Sequence, residues 1–436
     1  MSRQQITVVG GGSVSWMAIF MKDIVASESM EGGTVVLQDL SLPALQKMKQ
    51  FSEKLIAERK RDIRVMIEQD LRKAVTGSTF VLNTVLVGSH DAWTKEQNII
   101  KSHGIQHPKG MSVGPGGMMM GIKQIPFVLN LARTMVEICP DAWLFNFSNP
   151  MQLLMLSLQR YVPELKTVGI CHGIKDTVEI ISQRLGVDDK ELSFVAGGVN
   201  HFEIIKSITM NGQDMFPAYL KKLEEMDAKD GYNGEWVARE MYQLYGGWPS
   251  NFDIHNIEFL PHYIHKGTDV TEFHQIFNAI EGRVKSRTER WQLFDAYIAG
   301  TKTFEDLQGK GTEYIDKMVD AVVYNKPFLF HGQVTNQGNI TNLPNDMAVG
   351  VPILLSRDGY AGVCIGDLPR GLAEFSAIHG AVQNFMVEAA MTGDRGKLLS
   401  GLSLDPMCYT IPFAERKQLI DELLEASKEY LPLFAK

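Results

Sequence analysis

The chain has little cysteine, no long apolar run and no excess of positive charge. Cys139, Cys171, Cys364 and Cys408 are four thiols in 436 residues. That is too few for a disulfide framework and points to reduced thiols in a cytoplasmic setting. No stretch of about 18 apolar residues occurs, so a membrane span is not expected. The segment Met1–Gly10 lacks a signal-peptide layout, because its short apolar run leads into a glycine cluster rather than a cleavage site. Lys and Arg number 43 against 51 Asp and Glu, a net charge of −8, and no long Lys/Arg run appears. Nucleic acid and anionic membrane are therefore not expected as partners, although a small anionic ligand in a local pocket stays open. Repeats, low-complexity tracts and Pro/Gly/Ser linkers are missing too. With 44% hydrophobic and 22% charged residues, the composition is that of a globular chain, and at about 150 residues per domain it has room for two to three units.

The N-terminal half alternates strand and helix patterns. Gln5–Val9 is a short β-rich run, broken by Gly10-Gly11-Gly12-Ser13-Val14-Ser15, and Trp16 to about Ser27 then follows helical spacing with Met17, Phe20, Met21 and Ile24 on one face. Thr34–Leu37 predicts a second strand ending at Gln38-Asp39, and a charged helix follows from about Leu42 to Arg61. Phe80–Val87, Ala142–Phe147 and Thr167–Ile170 are further buried-type strands. Strands alternating with helices predict an α/β fold, a doubly wound parallel sheet with helical crossovers. After about residue 200 the pattern changes. Gly212–Glu240 is charged and helical, and Trp248–His265 is rich in aromatics, His and Pro and reads as a loop wall. Ala321–Gly362 carries short β runs, and Leu372–Gly393 and Phe413–Leu431 return to helical periodicity. The expected division is 1–200 for a nucleotide-binding domain and 201–436 for a second α+β lobe.

Gly10, Gly12 and Ser15 form G-x-G-x-x-S between a strand and a helix, where glycines let the backbone approach a pyrophosphate at the positive helix terminus. Asp39, at the end of the second strand, is placed for ribose hydroxyls and favours NAD over NADP, since a carboxylate repels a 2′-phosphate. Ser13, Val14 and Val87 complete the candidate dinucleotide site. Three other strand ends carry polar residues: Asn149-Pro150, Cys171-His172-Gly173, and Asn200-His201. Ligands bind beyond the carboxyl ends of such strands, and a thiolate with an imidazole can hold a divalent cation, with bound sugar or water completing its shell.

These residues, in order, resemble family 4 of the glycoside hydrolases, which use NAD and a divalent metal, usually manganese. The matching pieces run from Ile6 to Gly393. They are the Gly10–Ser13 turn, Gly114-Pro115-Gly116-Gly117, Asn149-Pro150, Cys171-His172-Gly173, Gly198-Val199-Asn200-His201, the segment from Asp253 to Pro261, and the segment from Asn339 to Asp346. The resemblance implies a Rossmann-like body of the lactate/malate dehydrogenase kind and a second lobe for substrate and oligomerisation. It also implies hydrolysis by transient redox chemistry: oxidation at sugar C3, deprotonation at C2, elimination of the aglycone, water addition at C1 and re-reduction. On the same ground Cys171 and His201 are the expected metal ligands. Asn149 is expected beside the sugar hydroxyls, Asn200 and His255 near the substrate, and Asp253 as the C2 base. A homodimer or homotetramer is likewise implied.

Three positions bear on the substrate. Relatives acting on 6-phosphorylated sugars usually follow the metal-binding Cys with Asp or Asn, and here the residue is His172. Such relatives also carry an Arg a few residues beyond the Val87-Gly88 end, near where this chain has Trp93, and His90 matches the branch of α-glucosidases, α-galactosidases and α-uronidases. Both departures point to a non-phosphorylated glycoside. Trp93 can serve either as a stacking face for a sugar or as a packing residue of its helix. Three residues before the Gly-Pro-Gly-Gly turn, where many relatives carry an acid, this chain has Met111. That leaves His172, Asp91 and Asp176 as candidate proton donors to the leaving group. Lys109, His107 and Lys123 could make the pocket cationic, which keeps an anionic uronide open. A net NAD-dependent sugar dehydrogenase and a non-catalytic sensor are the competing readings.

Overall fold

The structure, a computed structural model, describes residues 3–231, 234–260, 262–264, 279–308 and 313–434. The strands are β1 (Gln5–Val9), β2 (Thr34–Gln38), β3 (Arg64–Glu68), β4 (Phe80–Asn83), β5 (Trp143–Asn146) and β6 (Lys166–Ile170), followed by β7 (Leu192–Val199), β8 (Phe202–Met210), β9 (Gln213–Asp214), β10 (Trp248–Pro249), β11 (Phe328–Thr335), β12 (Ala348–Ser356) and β13 (Gly359–Gly362). Among the described residues all belong to one sheet. Its first six strands run in the order β3-β2-β1-β4-β5-β6 with parallel pairing throughout. This is the doubly wound dinucleotide-binding order. The sheet then continues from β6 through β11, β12, β7, β8 and β10 with antiparallel pairing.

The central parallel strands are apolar on both faces because helices cover both sides: Ile6, Val8, Phe80, Val81, Leu82, Leu144 and Phe145 are all buried. One core cluster reaches from Ile6 to Phe434, and a second, built on Ile205, Ile208, Tyr219 and Trp248, lies beneath helices Gly173–Leu185 and Phe216–Asp230. Between Glu96 and Lys123, both buried, an ion pair of 2.5 Å ties helix Ser89–Ser102 to helix Gly114–Ile138, and Ser427 donates to the same carboxylate.

The expected α/β organisation is present, with differences in detail. The fourth strand stops at Asn83 instead of Val87, because the Asn83 side chain accepts from Val85 N and turns residues 84–88 across the glycine loop. Edge strand β3 has an irregular exposure pattern that hides its period. The region Gly212–Glu240 opens with a two-residue strand before its helices, Phe216–Asp230 and Trp236–Tyr245. The expected loop wall at Trp248–His265 contains a helix, Asp253–Phe259, because Ile257 and Phe259 bury there; Pro261 and His265 lie outside the described residues.

Asp23, on helix Met17–Ala26, is fully buried and accepts from Ile315 N at 2.9 Å, so it caps helix Ile315–Tyr324 from a distance in sequence. Burial, reinforced by Asp316 and Glu313 and opposed by Lys175, pushes its carboxyl up to about 7. A carboxyl whose folded-state pKa is raised supports the fold at pH values below its ordinary range, and that support is lost as pH rises through the folded value. Thermal unfolding is therefore expected to show stability falling between about pH 4 and 7, and Asp23→Asn is expected to flatten that fall while keeping the acceptor for Ile315. An unchanged pH profile would contradict this.

Candidate functional site

Two turns and one strand crossover build the site. At the first turn, Gly10 N and Gly11 N both donate to Gln38 O, at 2.9 and 2.7 Å, closing the loop after β1 against the end of β2. Gly10 holds φ +90°, and a Cβ there would lie 3.0 Å from Thr84 Cγ2. Gly12 N donates to Asp39 Oδ2 at 3.0 Å, while a Cβ on Gly12 would stand 2.8 Å from that oxygen. Only glycine fits both positions. Ser13, Val14 and Ser15 are half-buried in the turn leading to helix Met17–Ala26, and Val87, also half-buried, donates its N–H to Gln124 Oε1 at 3.1 Å. A backbone left bare at a helix start, with a carboxylate at the end of β2, is a cradle for a dinucleotide.

The second turn joins β7 to β8 through Asn200 and His201. His201 is held at φ +69°, an uncommon conformation for a non-glycine residue. Its Nδ1 lies 2.6 Å from Ser112 Oγ, and its ring packs 4.3 Å from that of His255. Burial, aided by His172 and Lys109, pushes the imidazole down to about 3. It is therefore neutral, the form that binds metals, with Nδ1 engaged. Cys171 follows β6, and the Asn200 side chain and Gly173 N, turned toward its sulfur, oppose the effect of burial on the thiol. Burial and the nearby Glu203 push the thiol up to about 12. Metal binding would have to displace that proton. Asn200 Oδ1 is buried with no hydrogen-bond partner. Cys171 and His201 are thus brought to one place by Asn200, as donor types that suit a divalent cation.

Glu203 lies at the centre of this arrangement. Its carboxylate is 1% exposed and accepts from His201 N (3.1 Å), Ser250 Oγ (3.2 Å), Asn251 Nδ2 (3.2 Å), Gln333 Nε2 (2.6 Å) and Asn200 Nδ2 (3.5 Å). Burial raises its pKa to about 7. Beside Cys171, His172 Nδ1 lies 2.7 Å from Glu313 Oε1 and Nε2 lies 3.6 Å from Asp176 Oδ2. Glu313 is 2% exposed, and its contact with His172 raises the imidazole's pKa. Cys171, His172 and Glu313 open on a cavity of about 480 Å3 whose far wall is formed by Lys175, Lys317, Tyr314 and Phe330. Asn149 Oδ1 accepts from Met151 N (3.3 Å), and its Nδ2 lies against Met111 Sδ (3.7 Å).

Several expected site residues have other contacts in the structure. Asp253, expected as a base, is fully buried and accepts from Val237 N (3.2 Å) and Ala238 N (3.3 Å), capping helix Trp236–Tyr245, whose own N-cap residue makes no side-chain bond. Its carboxylate is committed to that helix and does not line the cavity. Trp93 is 3% exposed and donates to Gly110 O at 3.2 Å, so it packs its helix and offers no open stacking face. His107 and Lys123 are each paired with a carboxylate, Glu258 (2.9 Å) and Glu96, which cancels their contribution to a cationic pocket. His90 sits half-buried in the first turn of helix Ser89–Ser102. Sequence reasoning missed Glu203, Ser112, Gln333 and Glu313, which belong to no recognisable local motif. The glycines at 169, 198 and 350, discussed below, were the available signal. Removing the cap with Asp253→Ala is expected to cost about 1–2 kcal/mol of stability. Asp253→Asn is expected to keep both fold and turnover, and a turnover loss in a normally folded Asn variant would return a chemical role to Asp253.

Two family models match the chain in succession: the family 4 glycosyl hydrolase model over residues 5–187 and the family 4 glycosyl hydrolase C-terminal domain over 196–408. The chain is 26% identical over 435 residues to an α-galactosidase of Bacillus subtilis (strain 168), covering 98% of this chain and 99% of the relative. It is 27% identical over 443 residues to an α-galacturonidase of the same organism, covering 97% of each. A 6-phospho-α-glucosidase from gut microorganisms, solved in complex with NAD and Mn2+, has the same fold, with a TM-score of 0.82 at 21% identity over 99% of each chain. With both models matched in order along one continuous sheet, the chain belongs to family 4 of the glycosyl hydrolases.

Proposed function

We propose that this glycosidase hydrolyses non-phosphorylated α-glycosides through transient oxidation at sugar C3 and elimination of the aglycone, with NAD and a divalent cation, manganese above all, as cofactors. The observation that carries the reading is the convergence of the Cys171 thiol and a neutral, Ser112-anchored His201 beside the unpartnered Asn200 Oδ1. The bare Gly10–Gly12 turn with Asp39 fits the dinucleotide. NAD would supply a hydride acceptor and the cation Lewis-acid stabilisation of the charge that develops on the oxidised sugar. Among the described residues no group of three or more His, Cys, Asp or Glu is arranged to hold a metal. On this reading Cys171 and His201 are its two protein ligands, and sugar and water supply the rest.

The remaining work falls to side chains of this chain. Asn149, fixed at Oδ1 by Met151 N, directs its amide toward the sugar hydroxyls. His172, its Nδ1 held by Glu313, is the proton donor to the departing aglycone oxygen, a step worth roughly 10²–10⁴-fold. It takes over the role that Met111, a thioether, cannot perform. His172 after Cys171, and the absence of arginine among the described residues lining the cavity, favour a sugar without a 6-phosphate. The named relatives support α-linked galactosides and galacturonides. Lys175 and Lys317, 4.7 and 4.8 Å from the Tyr314 ring centre on the cavity wall, favour keeping uronides beside neutral sugars. Assembly into a homodimer or homotetramer and a cytoplasmic location remain part of the proposal.

The test is a panel of neutral, uronic and 6-phosphorylated α- and β-glycosides incubated with reduced enzyme, NAD+ and Mn2+ in D2O. Release of a non-phosphorylated α-linked sugar carrying deuterium at C2 is the expected result. Release without deuterium overturns the redox route, and NADH accumulating without aglycone release would make the protein a net dehydrogenase. Cys171→Ser is expected to lower Mn2+-dependent turnover by at least about 100-fold while NAD+ affinity, read by fluorescence titration, stays at the wild-type value. Unchanged turnover removes Cys171 from the site.

A further inference from the structure

Three glycines and two side chains share one row across the sheet. Gly169 on β6 pairs with Gln333 on β11, Gln333 with Gly350 on β12, Gly350 with Gly198 on β7, and Gly198 with Glu203 on β8. The row is a trench of bare backbone in which Gln333 and Glu203 meet above Gly350. A Cβ on Gly350 would lie 2.5 Å from Gln333 Nε2 and 2.8 Å from Glu203 Oε1, and one on Gly169 would lie 2.9 Å from Gln333 Cβ. Gly350 is therefore required by the amide–carboxylate pair. Glu203 Oε2 takes the N–H of His201, which turns away from the sheet at positive φ, while Oε1 takes Gln333 and Asn200, the residue turned toward the Cys171 sulfur.

We propose that Glu203 is a positioning residue for the cation site: one buried carboxylate fixes His201 through its backbone and Cys171 through Asn200, so that two ligands from distant strands share a single location. This rests on the reading of Cys171 and His201 as metal ligands. The physical content is acceptor arithmetic. All five groups facing Glu203 donate, and a carboxylate is the side chain that only accepts. Without it, His201 N–H is buried and unpaired, and the uncommon backbone conformation of the residue loses its backbone anchor.

The test compares wild type, Cys171→Ser, Glu203→Gln, Gly350→Ala and the exchange Glu203→Gln/Gln333→Glu, reading Mn2+ affinity by paramagnetic resonance titration and NAD+ affinity by fluorescence, with no turnover involved. In Glu203→Gln an amide NH2 faces a donor whichever way it is turned. Mn2+ affinity is expected to fall about 10–100-fold, with NAD+ affinity and unfolding temperature close to wild type. The exchange variant restores a donor–acceptor pair across the trench and is expected to recover most of the Mn2+ affinity, while Gly350→Ala, which crowds the same pair from below, is expected to lose it. Wild-type Mn2+ affinity in Glu203→Gln overturns the proposal. So does an exchange variant no better than the single one, and so does a parallel loss of Mn2+ and NAD+ affinity with a lowered unfolding temperature. If Cys171→Ser binds Mn2+ as wild type does, the underlying metal-site reading fails instead, and the two failures are told apart.

Discussion

A buried acceptor surrounded by donors leaves no freedom to its neighbours, and Glu203 is such an acceptor. Each unmade hydrogen bond in that setting costs about 1–3 kcal/mol, so the five donors around it are fixed together or not at all. Ser250 and Asn251 come from the end of β10, Gln333 from β11, and Asn200 and His201 from the turn between β7 and β8. Elements separated by more than a hundred residues are held to one point by a single side chain. The antiparallel half of the sheet gains by this a defined register against β6, where direct pairing is limited to Ile170 with Gly332 and Gly169 with Gln333.

What could be read from the sequence follows from where physical signals are local. Strand β1, its glycine turn and the following helix were legible because a period-2 run, a cluster of glycines and a 3.6-period run lie end to end. Cys171, His201 and Asn149 stand out in the sequence as polar residues ending apolar strands. Trp93 was open to two readings because its indole is compatible with either, and only burial decides between them. Asp253 shows how contacts distant in sequence stay hidden. A carboxylate beside His255 and Glu258 looks chemical in one dimension, whereas its partners, Val237 N and Ala238 N, come from another helix. Glu203, Gln333 and Glu313 were illegible because their function is set by pairing across strands or loops distant in sequence.

The same distinction holds for charge. The net −8 of the chain says nothing of the interior, where His107 faces Glu258 and Lys123 faces Glu96 with almost no exposure. Removing one member of such a pair leaves an uncompensated charge that costs about 3–5 kcal/mol. These pairs fix the loop carrying Ser112 and the long helix after it: Glu258 also accepts from Lys109 N and Gly110 N. Ser112 Oγ then meets His201. The orientation of an imidazole is set by buried carboxylates that touch no ligand.

Asp23 joins two parts of the molecule that have separate tasks. The helix that carries it begins at the glycine turn, and the helix whose start it caps follows directly on Glu313, the partner of His172. Trp16, at the head of the first helix, also lies 6.2 Å from the His172 ring. The nucleotide cradle and the His172–Glu313 pair thus share a beam: whatever stiffens the first helix steadies the start of the second.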